Sequence, residues 1–352
     1  MATLGVSTVT GQTRILSCIA PGELRLSTTS LGVCGPNEVL VKVLRVGICG
    51  TDIHAFAGQQ PYFTYPRVLG HELSVEVVAA GSPRDLDMLG RKGYVIPYLH
   101  DPDSPASRRG KTNCCERLEV IGVHRDGGMS DFLVLPARHV VPSDLLDAEQ
   151  LALVECLAIG AHGVRRSELR AGETAVVVGA GPIGMGVIQI ARARGARVIV
   201  IDPNSQRLAF CREKLGVTEA VDPREHSVEE AVAALTDGGL ADVVFDATGN
   251  PDAIARGFAL VGHGGRYVLV SLVKADITFH DPEFHRREIT LLASRNATRE
   301  DFDTVTRLME AGALAEREMI THRAELEQMP AVMAHWCAPA TGVIKGLVHV
   351  ND

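Results

Sequence analysis

Four side chains in the first half of the chain have the chemistry of metal donors: the thiol of Cys49, the imidazole of His71 and the carboxylates of Glu72 and Glu155. One sulfur, one nitrogen and one carboxylate oxygen make three zinc ligands, and a fourth position left to water is what separates a catalytic zinc site from a structural one. A second group points to a dinucleotide. Gly179-Ala-Gly-Pro-Ile-Gly184 follows the apolar run Ala175 to Val178 and opens a helical segment, Met185 to Arg194. In that strand–turn–helix context Gly179 permits the tight turn, Gly181 lets the backbone approach a pyrophosphate, and Gly184 lets helix pack on strand. The helix start, with Pro182 and Ile183, offers free N–H groups and a favourable dipole to the phosphates. The next apolar run, Arg197 to Ile201, ends in Asp202, 18 residues after Gly184, near the roughly 20 expected of the acid that binds a ribose 2′-hydroxyl. A carboxylate there accepts from a ribose diol and repels a 2′-phosphate, which predicts NAD over NADP. Pro203 follows rather than an arginine; Arg207, expected on the following helix, and Thr248 complete the candidate cofactor-binding set.

The elements that must position these groups fall into two patterns. Up to about residue 150 the chain reads as β-rich, with Glu38 to Val46, Leu73 to Ala79, Tyr94 to Ile96 and Phe132 to Leu135 as short runs between Gly and Pro turns. From about Leu157 to Ala293 strands and helices alternate, with further strands at Asp242 to Asp246, Arg266 to Val270 and Thr290 to Ala293, the pattern of a doubly wound parallel sheet. Thr298 and Asp301 form a capping-box signature for a helix over Arg299 to Gly312, and Gly342 to Val350 turns β-like again. The expected organisation is an α/β chain of two domains: 157–293 for the nucleotide, and a discontinuous 1–156 with 294–352 for the metal.

Length and composition agree, since 352 residues with 46% hydrophobic and 22% charged describe an ordinary globular chain of two domains. A net charge of −8 gives no electrostatic reason for a nucleic-acid or anionic-membrane partner. Met1 to Arg14 lacks a leader pattern and no apolar run is long enough to span a bilayer, so a cytoplasmic protein is expected. Eight scattered cysteines suit reduced thiols or metal ligands better than a disulfide framework.

The order Gly47-Ile-Cys-Gly-Thr-Asp-Ile-His54, Leu69-Gly-His-Glu72, Val154-Glu-Cys-Leu-Ala-Ile-Gly-Ala-His162 and Gly179-Ala-Gly-Pro-Ile-Gly184 resembles the zinc-containing medium-chain dehydrogenases over nearly the whole chain. Within them it is most similar to the sorbitol and threonine dehydrogenase branch, which carries Glu, as at Glu155, where liver-type alcohol dehydrogenases carry Cys. The segments His280-Asp-Pro-Glu-Phe-His285 and Ala293-Ser-Arg-Asn-Ala-Thr-Arg-Glu-Asp301 resemble a bacterial sugar-acid subgroup that includes the L-gulonate dehydrogenases. The resemblance implies a Rossmann domain with a GroES-like zinc domain, assembled as a homodimer or homotetramer. It also implies hydride transfer between NAD and a secondary hydroxyl of a polyol or sugar acid. Cys49 thiolate, His71 and one carboxylate would leave zinc(II) neutral, whereas Glu72 and Glu155 together would leave −1 and weaken its Lewis acidity, so one direct carboxylate at a time is expected. Asp52 matches the carboxylate that orients the ligand histidine. Thr51 would take the alcohol proton and His54 would pass it on to solvent through the nicotinamide ribose, because hydride leaves only after the O–H proton has gone. Arg295 and Asn296 would face substrate hydroxyl or carboxylate groups.

The chain departs from the family in three places. Val75 replaces a usual glycine, Gly90-Arg-Lys-Gly replaces the usual Gly-Asp-Arg-Val, and the lobe Pro97 to Cys115 lacks the four-cysteine structural zinc site of many relatives. Laying the Cys-x2-Cys-x2-Cys-x7-Cys spacing back from Cys115 lands on Asp101, Ser104 and Ser107, so a polar loop held by turns and Asp–Arg pairs is expected, with one zinc per chain. The competing readings are an L-threonine 3-dehydrogenase-like enzyme, a non-catalytic NAD-binding protein of the same fold and, with less support, a zinc-free quinone reductase.

Overall fold

The computed structural model describes residues 11–60 and 63–352; the expectation drawn from Met1 to Arg14 falls largely outside them. By contacts the chain divides into Met1–Glu155 with Met319–Asp352, and Cys156–Glu318. Among the described residues no helix is long and apolar enough to cross a membrane.

The first unit is built round the strand Glu38–Gly47, whose valines at 39, 41, 43 and 46 are fully buried. It pairs antiparallel with Glu72–Ala80, Phe132–Pro136 and Lys345–His349 in a seven-stranded sheet. The register sets Gly47 opposite both Glu72 and Leu347, so three distant stretches of sequence meet at one end of one strand. Val75 lies inside the Glu72–Ala80 strand opposite Val43, fully buried. Its β-branched side chain therefore fills core where a glycine would leave a hole. The strands Gln12–Ala20 and Glu23–Ser30, not anticipated from the sequence, make a hairpin beside this sheet.

The second unit holds a six-stranded parallel sheet in the order Glu219–Val221, Arg197–Ile201, Thr174–Val178, Ala241–Asp246, Val261–Leu269, Thr290–Ala293. Chain order reverses at Thr174–Val178, the switch point at which ligands bind such sheets. The helix Arg299–Glu310 begins at Thr298, whose N–H donates to Asp301 Oδ2 at 2.8 Å. Asp301, 1% exposed, also accepts from Arg165 Nε at 2.6 Å and lies 2.8 Å from His162 Nδ1. These bonds join the helix to Ala148–Arg166 and account for its grouping with the second unit, whereas the sequence placed the return to the first unit at 294.

His139 is a buried polar joint of the first unit. Its Nδ1–H donates to the Ile96 carbonyl at 2.9 Å while Ile96 N–H donates to the His139 carbonyl at 2.8 Å, tying the ends of Lys92–Val95 and Val140–Pro142 together. Burial, helped by Arg138 and His100 and opposed by the Ile96 bond, pushes the imidazole down to about 4. The unfolded chain takes up this proton near pH ~6.5 and the folded chain only near 4, so stability present above the unfolded value is lost as pH falls through that window, by the order of 3 kcal/mol. Urea unfolding of wild type and His139→Gln at pH 7.5 and pH 4.5 is expected to show a smaller acid loss in the variant; equal losses would rule the linkage out.

Candidate functional site

Cys49 caps the short helix Gly50–Phe56, and the Asp52 side chain reaches back to accept the Cys49 N–H at 2.9 Å. The other Asp52 oxygen accepts the Gly70 N–H at 3.2 Å. One buried carboxylate thus fixes both the segment that carries Cys49 and the segment that carries His71. It lies 3.9 Å from His71 Nδ1, beyond hydrogen-bond range, and that nitrogen has no partner among the described residues. Cys49 Sγ, a His71 ring nitrogen and a Glu72 oxygen lie within 4.8 Å of one another. Glu155, on the helix Ala148–Arg166, stands beside this set rather than in it and accepts a hydrogen bond from the Tyr98 hydroxyl.

Sequence reasoning missed two residues of this pocket. Lys345, 1% exposed, donates to both Glu72 oxygens at 2.7 Å and to the Ile48 carbonyl at 3.0 Å. The signal was a lysine inside the apolar run Val343 to Val350, since lysine is almost never fully buried without a partner. Tyr98 carried no comparable signal. Gly47 has no room for a side chain, because a Cβ there would run into the Glu72 carboxylate.

The electrostatics call for a cation. Cys49, Asp52, Glu72 and Glu155 cluster in this buried pocket with Lys345 and His71. Burial pulls His71 down, yet the charges of Cys49 and Asp52, the Cys49 hydrogen bond and Glu155 outweigh it and hold the imidazole well above its ordinary value. Burial, with Glu72 behind it, raises Glu155 against the opposing effects of His71, Tyr98 and Lys345. Burial and the Glu155 charge raise Tyr98, which therefore stays a donor. A mixed sulfur, nitrogen and oxygen donor set whose surroundings favour positive charge at His71 fits zinc(II) in donor type. Thr51 is half-buried and His54 exposed, three residues apart on the Gly50–Phe56 helix and so on one face.

In the second unit Gly179 adopts φ +98°, and a Cβ on Gly184 would strike the Gly179 carbonyl, so turn and helix packing both require glycine. Pro182 and Ile183 start the helix Pro182–Ala193, with Gly181 as its N-cap. Asp202 is buried, and its two oxygens accept the N–H groups of Ala180 and Asn204, each at 2.7 Å. Arg207 is on the helix Ser205–Glu213, as expected, and its guanidinium still reaches within 4.0 Å of where a Gly181 Cβ would stand. Gly179, Gly181, Asp202, Arg207 and Thr248 line a cavity of about 710 Å³, with Thr248 Oγ donating to Asp246 at 2.7 Å.

The lobe Pro97 to Cys115 brings the four family positions together with hydrogen bonds. Cys115 Sγ accepts the Asp101 N–H at 3.3 Å, Ser104 Oγ donates to Ser107 Oγ at 3.0 Å and accepts the Ser107 N–H at 3.2 Å. Asp101 pairs with Arg117; Arg108 binds the Asp103 carbonyl instead of a carboxylate.

Residues 35–145 match the model of the alcohol dehydrogenase GroES-like domain, and residues 182–311 match that of zinc-binding dehydrogenases. The chain is 45% identical to the L-galactonate-5-dehydrogenase of Escherichia coli K12, over 88% of this chain and 91% of that one. It is 33% identical to the 2-dehydro-3-deoxy-L-galactonate 5-dehydrogenase of Pseudoalteromonas atlantica, over 95% and 94%. An alcohol dehydrogenase of Escherichia coli CFT073 solved with NADH superposes with a TM-score of 0.90 at 25% identity, covering 96% of this chain and 99% of that one. The chain therefore belongs to the zinc-binding medium-chain dehydrogenases, oxidoreductases that use zinc and a nicotinamide cofactor.

Removing Lys345 leaves the Glu72 charge buried without its cation, which costs about 3–5 kcal/mol. Urea denaturation with chelator present should show a loss of that size for Lys345→Met and a smaller loss for Lys345→Met with Glu72→Gln. Additive losses would show that the pair is not coupled.

Proposed function

We propose that the protein oxidises a secondary hydroxyl of a sugar acid, reversibly, with NAD as hydride acceptor. The observation that carries this reading is the Cys49, His71 and Glu72 donor set within 4.8 Å in a pocket that calls for a cation. The substrate class draws its support from the two relatives whose names place the reaction at C5 of a galactonate.

Cys49, His71 and Glu72 would hold the zinc, while Lys345 offsets part of the Glu72 charge and leaves lone pairs on both oxygens. Glu155, kept by Tyr98 beside them, would be a second carboxylate available to the metal. Zinc supplies Lewis acidity toward the hydroxyl oxygen, and NAD supplies the hydride-accepting carbon. Thr51 takes the hydroxyl proton, and exposed His54 passes it to solvent. Asp52 holds the backbone that carries both Cys49 and His71. Gly179, Gly181, Pro182, Ile183 and Gly184 receive the pyrophosphate, with Asp202, Arg207 and Thr248 on the adjoining ribose. Asn296, at φ +52° with its buried Nδ2 lacking a partner among the described residues, suits a substrate oxygen, with Arg295 beside it. The exposed Thr290, Leu291 and Ala293 of the sheet-edge strand support a homo-oligomer, and eight free cysteines support a reducing, cytoplasmic setting. The hydrogen-bonded lobe around Cys115 supports one zinc per chain.

Purified enzyme with NAD, offered hexonates such as L-galactonate and L-gulonate, hexitols, pentitols and L-threonine, is expected to turn over a hexonate with the highest kcat/KM; a preference for L-threonine would replace this reading with the threonine dehydrogenase one. NADP should give at least tenfold lower kcat/KM than NAD, and parity would remove the role given to Asp202. Elemental analysis should find about one zinc per native chain and none in Cys49→Ala, which should be inactive yet still bind NADH. One zinc surviving Cys49→Ala would mean that the lobe holds metal after all.

A further inference from the structure

The register of the parallel sheet lines up three strand ends. Val178 pairs with Ile201 and Ile201 with Val221, so the residues that follow them, Gly179, Asp202 and Asp222, stand side by side along the carboxyl edge. Neighbouring strands are about 4.8 Å apart. On the reading that the cavity holds a dinucleotide, the phosphates lie over the Gly179 turn, the ribose over Asp202 and the base one strand further out. There the sheet offers something different. Asp222, 7% exposed, is consumed by its own neighbour: Arg224 Nε donates to Oδ1 at 3.0 Å, Nη2 donates to Oδ2 at 2.6 Å, and the Arg224 N–H donates to Oδ1 at 2.9 Å. These bonds to Arg224 draw the carboxyl down to about 2.

The fork fixes the guanidinium plane, while the side chain remains 60% exposed along the same cavity. Arg207 lies nearer the Gly181 turn, its Nη1 4.0 Å from where a Cβ on Gly181 would stand. No Phe, Tyr or Trp lines the cavity among the described residues, and Pro203 provides a flat apolar wall. We infer that Arg224, clamped by Asp222, is the face on which the adenine ring stacks, so that the third strand contributes a planar cation where the second contributes an acid. A delocalised guanidinium packs flat against an aromatic ring, whereas a lysine ammonium supplies only a point charge.

Binding of NADH, AMP and NADPH to the zinc-loaded enzyme, measured by fluorescence and calorimetry, tests the assignment. Arg224→Ala and Arg224→Lys should both weaken NADH and AMP about tenfold, equivalent to about 1.4 kcal/mol, with the melting temperature unchanged. Asp222→Asn, which keeps the arginine and loosens its clamp, should weaken both about threefold. Full affinity in Arg224→Lys, or a loss confined to NADPH, would make Arg224 a charge or 2′-phosphate contact and overturn the stacking role. Unchanged NADH and AMP affinities in all three variants would overturn it as well. Wild-type protein that bound neither ligand would overturn the cofactor reading itself, and the assignment with it.

Discussion

Buried charge at the end of the Glu38–Gly47 strand is the constraint on which the first unit depends. Glu72 and Lys345 are 0% and 1% exposed, and each needs the other because an isolated charge in such a place costs several kcal/mol. Lys345 comes from a strand more than 270 residues away in sequence, and its Nζ also holds the Ile48 carbonyl next to Cys49. The C-terminal segment is thereby required for the geometry of a site whose donors all lie earlier in the chain. Gly47 belongs to the same constraint, because the volume a side chain would occupy there is already filled by the Glu72 carboxylate.

The acidic side chains gathered beside Lys345 set up a field that favours positive charge at His71, and a donor set in such a field suits a divalent ion. The raised His71 expresses the same demand: without a metal, the field would place a proton on the ring. Asp52 serves the site mechanically, since its hydrogen bonds go to the backbone of Cys49 and Gly70, two points that fix where the sulfur and the imidazole can stand.

The second unit solves its problem with register. A parallel sheet with level strand ends presents a row of groups at one edge, and each ending sets the chemistry of one position: glycine for close backbone approach, Asp202 with its oxygens bonded to backbone N–H groups, and Asp222 paired with Arg224. In the Cys115 lobe, hydroxyl and backbone hydrogen bonds join Asp101 to Cys115 and Ser104 to Ser107.

The sequence by itself determined the two kinds of architecture, because a period-two β pattern and an alternating strand–helix pattern are local properties. It also marked the glycine turn with Asp202, and Cys49, His71, Glu72 and Glu155 as candidate donors, without choosing between the two glutamates. It did not reveal Lys345 or Tyr98, whose meaning exists only through partners 273 and 57 residues distant. Nor did it reveal that Asp101 would choose Arg117, or that Asp222 would spend its charge on Arg224, since a carboxylate's partner is decided by which guanidinium the fold brings within reach. Local pattern fixes elements and motifs; the pairing of buried charges is long-range, and only the tertiary structure decides it.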